Sequence, residues 1–122
     1  MKRSHFEKLV EHALERIPQR FRAAMDNVAI LVQDWPDPRL VEEVTGDADE
    51  MLYGLFEGTP LPARRVEDSG ELPAVIYLFR KPLMEDFPES GELEHEIEVT
   101  LVHEIAHFMG LDEDVVRAYG YG

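Results

Sequence analysis

The sequence predicts an α+β domain, and three observations carry that expectation. Apolar residues recur at helical spacing near the start, three short apolar runs bounded by turn residues follow, and a long apolar-rich stretch near the end stops at a glycine. With 122 residues the chain can build one modest core and no separate substrate lobe, so any active site should be a groove on that core.

Ser4-His5-Phe6-Glu7 has the form of a capping box, and Phe6, Leu9, Val10, Ala13, Leu14 and Ile17 then follow a helical stripe of roughly four turns. Pro18 ends that helix or restarts it, and Gln19 to Met25 reads as a short second one with Phe21 and Met25 inward. After the turn at Asp26-Asn27, Val28 to Val32 reads as a strand buried on both faces. Trp35 is expected as a lid over one end of the core, Arg39 to Val44 as a helical turn, and Thr45 to Glu50 as an acidic loop.

Leu52 to Glu57 reads as a strand in which Gly54 marks a bulge or a close backbone approach. Gly58 to Pro62 should end it, and a polar loop from Arg64 to Gly70 should lead to a third, fully apolar strand, Ala74 to Phe79. Pro82 to Phe87 adds a turn of helix. From Glu92 the chain enters its longest helix, with Glu92, Glu94, Glu96 and Glu98 crowded early, where the helix dipole favours negative charge.

Charge and cysteine content exclude several functions. Lys and Arg total 12 against 26 Asp and Glu, and a net charge of -14 opposes binding to nucleic acid or to an anionic membrane. There is no cysteine, which rules out disulfides and thiolate metal clusters. Met1 to His5 is basic but leads into Glu7, Lys8 and Glu11 instead of an apolar segment, and no apolar run approaches a membrane span. A soluble, cytoplasmic protein is expected.

The chemistry concentrates in His103-Glu104-Ile105-Ala106-His107, an HExxH pattern. Two histidines four residues apart lie one turn apart on one helix face, so both imidazoles can reach one zinc ion, and Glu104 beside them can act as general base toward water. Gly110 should stop the helix in a left-handed turn that brings Asp112, Glu113 and Asp114 back toward the histidines as candidates for a third ligand. The same three residues also suit the start of a helix, with Asp112 as its cap. His95 lies near the histidine stripe but about 12 Å along the axis from His103, too far to share a ligand set. His5 and His12 read as exposed polar residues.

These residues, His103 to Glu113, resemble the zincin metallopeptidases of the HExxHxxGxx(H/D) type, and more closely a family of very small bacterial zincin-like proteins. The likeness extends through Met25 to Val28, Tyr53 to Gly58 and Ile76 to Arg80. It implies a minimal zincin fold, a small mixed sheet packed against an N-terminal helix and the HExxH helix, with one catalytic Zn2+ and a peptide or unfolded protein as substrate. The pattern places the third ligand at Glu113, where His or Asp is usual, with Asp112 or Asp114 as alternatives. Tyr119 or Tyr121 is the nearest candidate for the supporting or oxyanion position. The alternative function is a zincin-like domain that binds metal or a peptide partner without turning it over.

Overall fold

The computed structural model describes residues 1–58 and 74–122. The turn expected after Gly58 and the polar loop at 64–70 lie outside the described residues. In chain order the elements are α1 (Arg3–Arg16), α2 (Gln19–Ala24), a 3-10 turn (Met25–Asn27), β1 (Val28–Gln33), α3 (Pro38–Thr45), β2 (Gly54–Glu57), β3 (Ala74–Phe79), α4 (Arg80–Asp86), α5 (Ser90–Met109) and α6 (Glu113–Ala118). The fold is α+β. Its sheet is mixed, with β3 in the centre, β1 parallel to it on one side and β2 antiparallel on the other. Among the described residues no helix is long and apolar enough to cross a membrane.

Register decides which side chains enter the core. Ile30, Ile76 and Phe56 form one row across the sheet, and Val32, Leu78 and Gly54 the next. Against this face lies α5, whose Leu93, Ile97, Leu101, Val102 and Ile105 have no exposed surface. Phe6, Val10 and Ala13 of α1 and Phe21 of α2 complete the cluster. Burying one side chain of this size contributes about 1.5–3 kcal/mol, so the seam between α1, α5 and the sheet is the main source of stability.

Four local expectations are corrected. α1 begins at Arg3, so Ser4 lies inside the helix, and Glu7 pairs with Arg3 at 3.2 Å where the capping box would have tied it to Ser4. β1 is not buried on both faces: among the described residues it is an edge strand, and Leu31 is 46% exposed. Trp35, expected over the core, is 52% exposed at the link from β1 to α3. Glu98 does not lie in the first turns of α5. The helix starts eight residues earlier, capped by the Glu89 carboxylate on the Gly91 and Glu92 amides, and Glu98 is buried.

The turn of helix expected at Arg39 to Val44 forms as α3, capped by Asp37, which accepts from the Arg39 amide at 2.9 Å. Arg80 at the start of α4 is buried and binds the Asp34 carboxylate at 3.0 Å, fastening α4 to the end of β1. That guanidinium holds the Asp34 carboxyl below its usual pKa.

Gly54 is the close approach that its position in the strand suggested. A Cβ there would lie 2.6 Å from Thr100 Cγ2 and 3.0 Å from the Tyr77 carbonyl, so β2 and α5 meet at a distance only glycine allows. We expect Gly54→Ala to lower stability by about 1–3 kcal/mol, the usual range for overpacking. Adding Thr100→Ser, which removes the methyl, should recover part of that loss. Urea midpoints of the three proteins check this, and equal stability of Gly54→Ala and wild type would contradict it.

Candidate active site

The stripe of α5 that turns away from the core carries Glu96, Val99, Thr100, His103 and Glu104, and these face residues 51–54 across a groove of about 350 Å³. At its inner end stands Glu104, whose side chain is 13% exposed. Its Oε1 accepts the Phe56 backbone N–H at 2.7 Å. That amide is free to donate because antiparallel pairing uses alternate residues: the Tyr53 carbonyl accepts from Phe79, so Gly54 and Phe56 direct their polar groups to the other edge of β2. The second oxygen, Oε2, lies 3.7 Å from His107 Nδ1. The Glu104 carboxylate holds the His107 imidazole above its ordinary pKa, and the charge of Glu113 adds to the effect.

His103 is fixed by the end of the chain. Its Nε2 lies 2.5 Å from the Tyr121 carbonyl, which can only accept, so Nε2 carries a hydrogen and, in the neutral ring, Nδ1 is the atom with the lone pair. Nδ1 faces Glu113 Oε1 at 3.7 Å. Two glycines produce this return. Gly110, at φ 74, ends α5 with the Leu111 amide bonded back to Ala106, and Gly120, at φ 90, turns Tyr121 inward so that its amide binds the Val116 carbonyl.

The other candidates have different partners. Asp112 caps α6 by accepting the Val115 amide at 3.2 Å, and Asp114 pairs with Arg117. Tyr119 packs edge-on against Phe21 with ring centroids 5.0 Å apart, beneath the Arg20 guanidinium. The Tyr121 hydroxyl donates to Glu98 Oε2 at 2.6 Å, and the same carboxylate accepts from Arg16 at 3.0 Å. Tyr121 therefore reaches His103 through its main chain, while its side chain anchors that main chain to α5 and α1. His12 pairs with Glu94 at 3.1 Å and His95 is exposed, so both stay on the outer surface of their helices.

Three contributors were not read from the sequence: the Phe56 amide, Glu98 and Arg16. A signal existed for Glu98, because Leu101, Val102 and Ile105 follow it at three, four and seven residues and are all buried. A carboxylate on that stripe needs partners.

Among the described residues no three His, Asp or Glu side chains are already gathered at one point. The donor chemistry nonetheless fits zinc. His103 offers a lone pair whose tautomer is set from behind by a carbonyl, the usual support of a metal-binding imidazole. Its separation from Glu113, 3.7 Å, is close to the roughly 3.4 Å between two donors on a tetrahedral zinc with bonds of about 2.1 Å.

A family model described as zincin-like metallopeptidase matches residues 25–121. The chain belongs to this family. A conserved hypothetical protein from Thermus thermophilus has a similar solved structure, with a TM-score of 0.58 and 23% identity over 89% of this chain and 94% of the other. No curated protein matches the chain. The stretch matched to the family excludes α1, yet α1 supplies Arg16 to the Glu98–Tyr121 pair that holds His103 in place.

Burial and the hydrogen bond to Glu98 push the Tyr121 phenol up to about 12. A folded-state pKa raised above the unfolded value of about 10 stabilises fully below pH 10 and loses its effect as pH rises through about 12. Tyr121→Phe should therefore cost about 1.5–3 kcal/mol at pH 8, the worth of a hydrogen bond to a charged group, and progressively less above pH 10. Urea unfolding of both proteins from pH 8 to 12 measures the gap, which should close with rising pH.

Proposed function

We propose that the protein is a zinc-dependent peptidase in which His103, His107 and Glu113 hold the metal and Glu104 is the general base. The observation that carries this reading is the setting of Glu104. It is a nearly buried carboxylate in a groove, held by one oxygen on the Phe56 amide and leaving the other toward His107. A purely structural metal site has no use for such a group beside its ligands.

When bound, zinc supplies Lewis acidity that polarises a peptide carbonyl and makes water acidic near neutral pH. The remaining work falls to the chain. The Phe56 N–H fixes the Glu104 carboxylate so that Oε2 accepts the proton of the attacking water and returns it to the leaving amine. Tyr121 keeps His103 in the tautomer that presents Nδ1. The edge of β2, where the Gly54 polar groups and the Phe56 carbonyl are directed outward and the Phe56 N–H is taken by Glu104, offers backbone pairing to an extended peptide. Glu113 is favoured over its neighbours as the third ligand because Asp112 is engaged as a cap and Asp114 with Arg117.

Two variants test the assignment. Glu104→Gln should retain zinc and fold while hydrolysis of unstructured peptides falls by about 100- to 10,000-fold, the usual worth of general-base assistance. Turnover that survives this change removes Glu104 from the mechanism; zinc bound without turnover in either protein favours a binding domain. Glu113→Ala should weaken zinc by more than the roughly 10- to 100-fold that loss of an outer partner costs. Asp112→Ala and Asp114→Ala should leave metal content nearly unchanged in the same equilibrium dialysis.

A further inference from the structure

The groove beside Glu104 is bounded on one side by residues 51–54. Its outer wall, Met51 and Leu52, is also the inner wall of a second depression of about 380 Å³, closed by Trp35, Pro38, Val41 and Pro82. Trp35 and Met51 are 52% and 38% exposed, a large apolar surface to leave to water beside a candidate active site. The charged groups lining the two depressions are Glu96 and Glu104 in one and Asp49 and Glu50 in the other, with no Lys or Arg among the described lining residues. Trp35 is held there from both sides. Asp34 before it is bonded to Arg80, and Asp37 after it caps α3, so the aromatic ring is presented by a fixed stretch of backbone.

We infer that the Trp35 depression is a remote subsite of the same cleft, which takes an apolar side chain of an extended, basic peptide. The inference rests on the peptidase reading for its scissile bond. The shared wall supplies the first reason: one peptide lying along β2 past Gly54 and Leu52 would reach Met51 and the tryptophan. Distance supplies the second. Five residue steps separate Phe56, at Glu104, from Met51 and span at most about 17 Å, so the apolar residue lies about five positions from the bond cleaved. Charge supplies the third, since four carboxylates along the cleft favour Lys and Arg between the two points. The domain would thereby gain selectivity from a side chain well away from the chemistry.

Trp35 is the only tryptophan in the chain, so its fluorescence reports this depression alone. The probe is a series of dye-labelled 14-residue Lys/Gly/Ser peptides in which one Leu is moved a position at a time. Zinc-loaded Glu104→Gln is used for binding and wild type for cleavage. Peptides with Leu should bind, measured by anisotropy, and shift Trp35 emission to the blue. Trp35→Ala should weaken them by about tenfold and Trp35→Phe by much less, while the Leu-free peptide should bind weakly and leave the emission unmoved. In wild type, cleavage should fall about five residues from Leu and move with it.

Cleavage that ignores the position of Leu, with Trp35 emission constant at saturation, would overturn the subsite and leave the peptidase reading standing. A blue shift and a Trp35-dependent affinity without cleavage by wild type would support the subsite in a protein that binds peptides and does not hydrolyse them. Peptides that neither bind nor are cut would overturn it.

Discussion

The contact between β2 and α5 at Gly54 sets the geometry of everything around it. Because no Cβ stands between them, the strand backbone comes within hydrogen-bond reach of the helix face, and the Phe56 amide lies 2.7 Å from Glu104. A wider spacing would leave that amide without a protein partner and Glu104 free to rotate. The same spacing gives α5 its double use. One stripe, Ile97, Leu101 and Ile105, is fully buried and anchors the helix. The adjoining stripe, Thr100, His103 and Glu104, lines a groove. Rigid burial of the first holds the second in position, since side chains of a packed helix cannot move independently of its core face.

A second constraint is electrostatic. Burying Glu98 costs solvation, and that cost is offset because both carboxylate oxygens are bonded, one to Arg16 and one to Tyr121. The arrangement links three distant parts of the chain: α1, the middle of α5 and the residue before the last. Its effect is local to His103, which receives the Tyr121 carbonyl. A surface ion pair would contribute little in this position, because solvent would screen it. Here Arg16 is half exposed, but Glu98 is buried and held also by Tyr121, so the orientation of an imidazole is tied to a helix more than eighty residues earlier.

Elements with strong periodicity are legible in the sequence, and those whose environment depends on their neighbours are not. α1, α5 and β3 follow from spacing alone, and Gly110 follows from the need for a left-handed residue after a helix. β1 misleads because an apolar run looks the same in a central strand and in an edge strand. Only the order β1-β3-β2, a long-range property, separates them. Trp35 misleads for a similar reason, since a single tryptophan next to a strand suggests packing until the path of the following helix is known. The HExxH residues can be named from their spacing, whereas the Phe56 amide cannot, because a backbone donor has no residue type. Gly54 is its indirect sign. The chain withholds a side chain there because two backbones pass, and a close pass beside Glu104 puts main-chain donors within its reach.

Shared residues make these constraints reinforce one another. With one core, every element that shapes the groove also carries structural load: Gly54 spaces the sheet from the helix, Tyr121 caps the core and orients His103, and Glu113 opens α6 while facing the same imidazole. Changes at such positions should rarely alter chemistry without altering stability. The exception lies at the rim, where Trp35 and Met51 are exposed and contribute little to packing. On the proposed reading, the cleft can therefore vary its selectivity most freely at the end farthest from Glu104, where substitution disturbs neither the seam of α5 nor the Tyr121 carbonyl that holds His103.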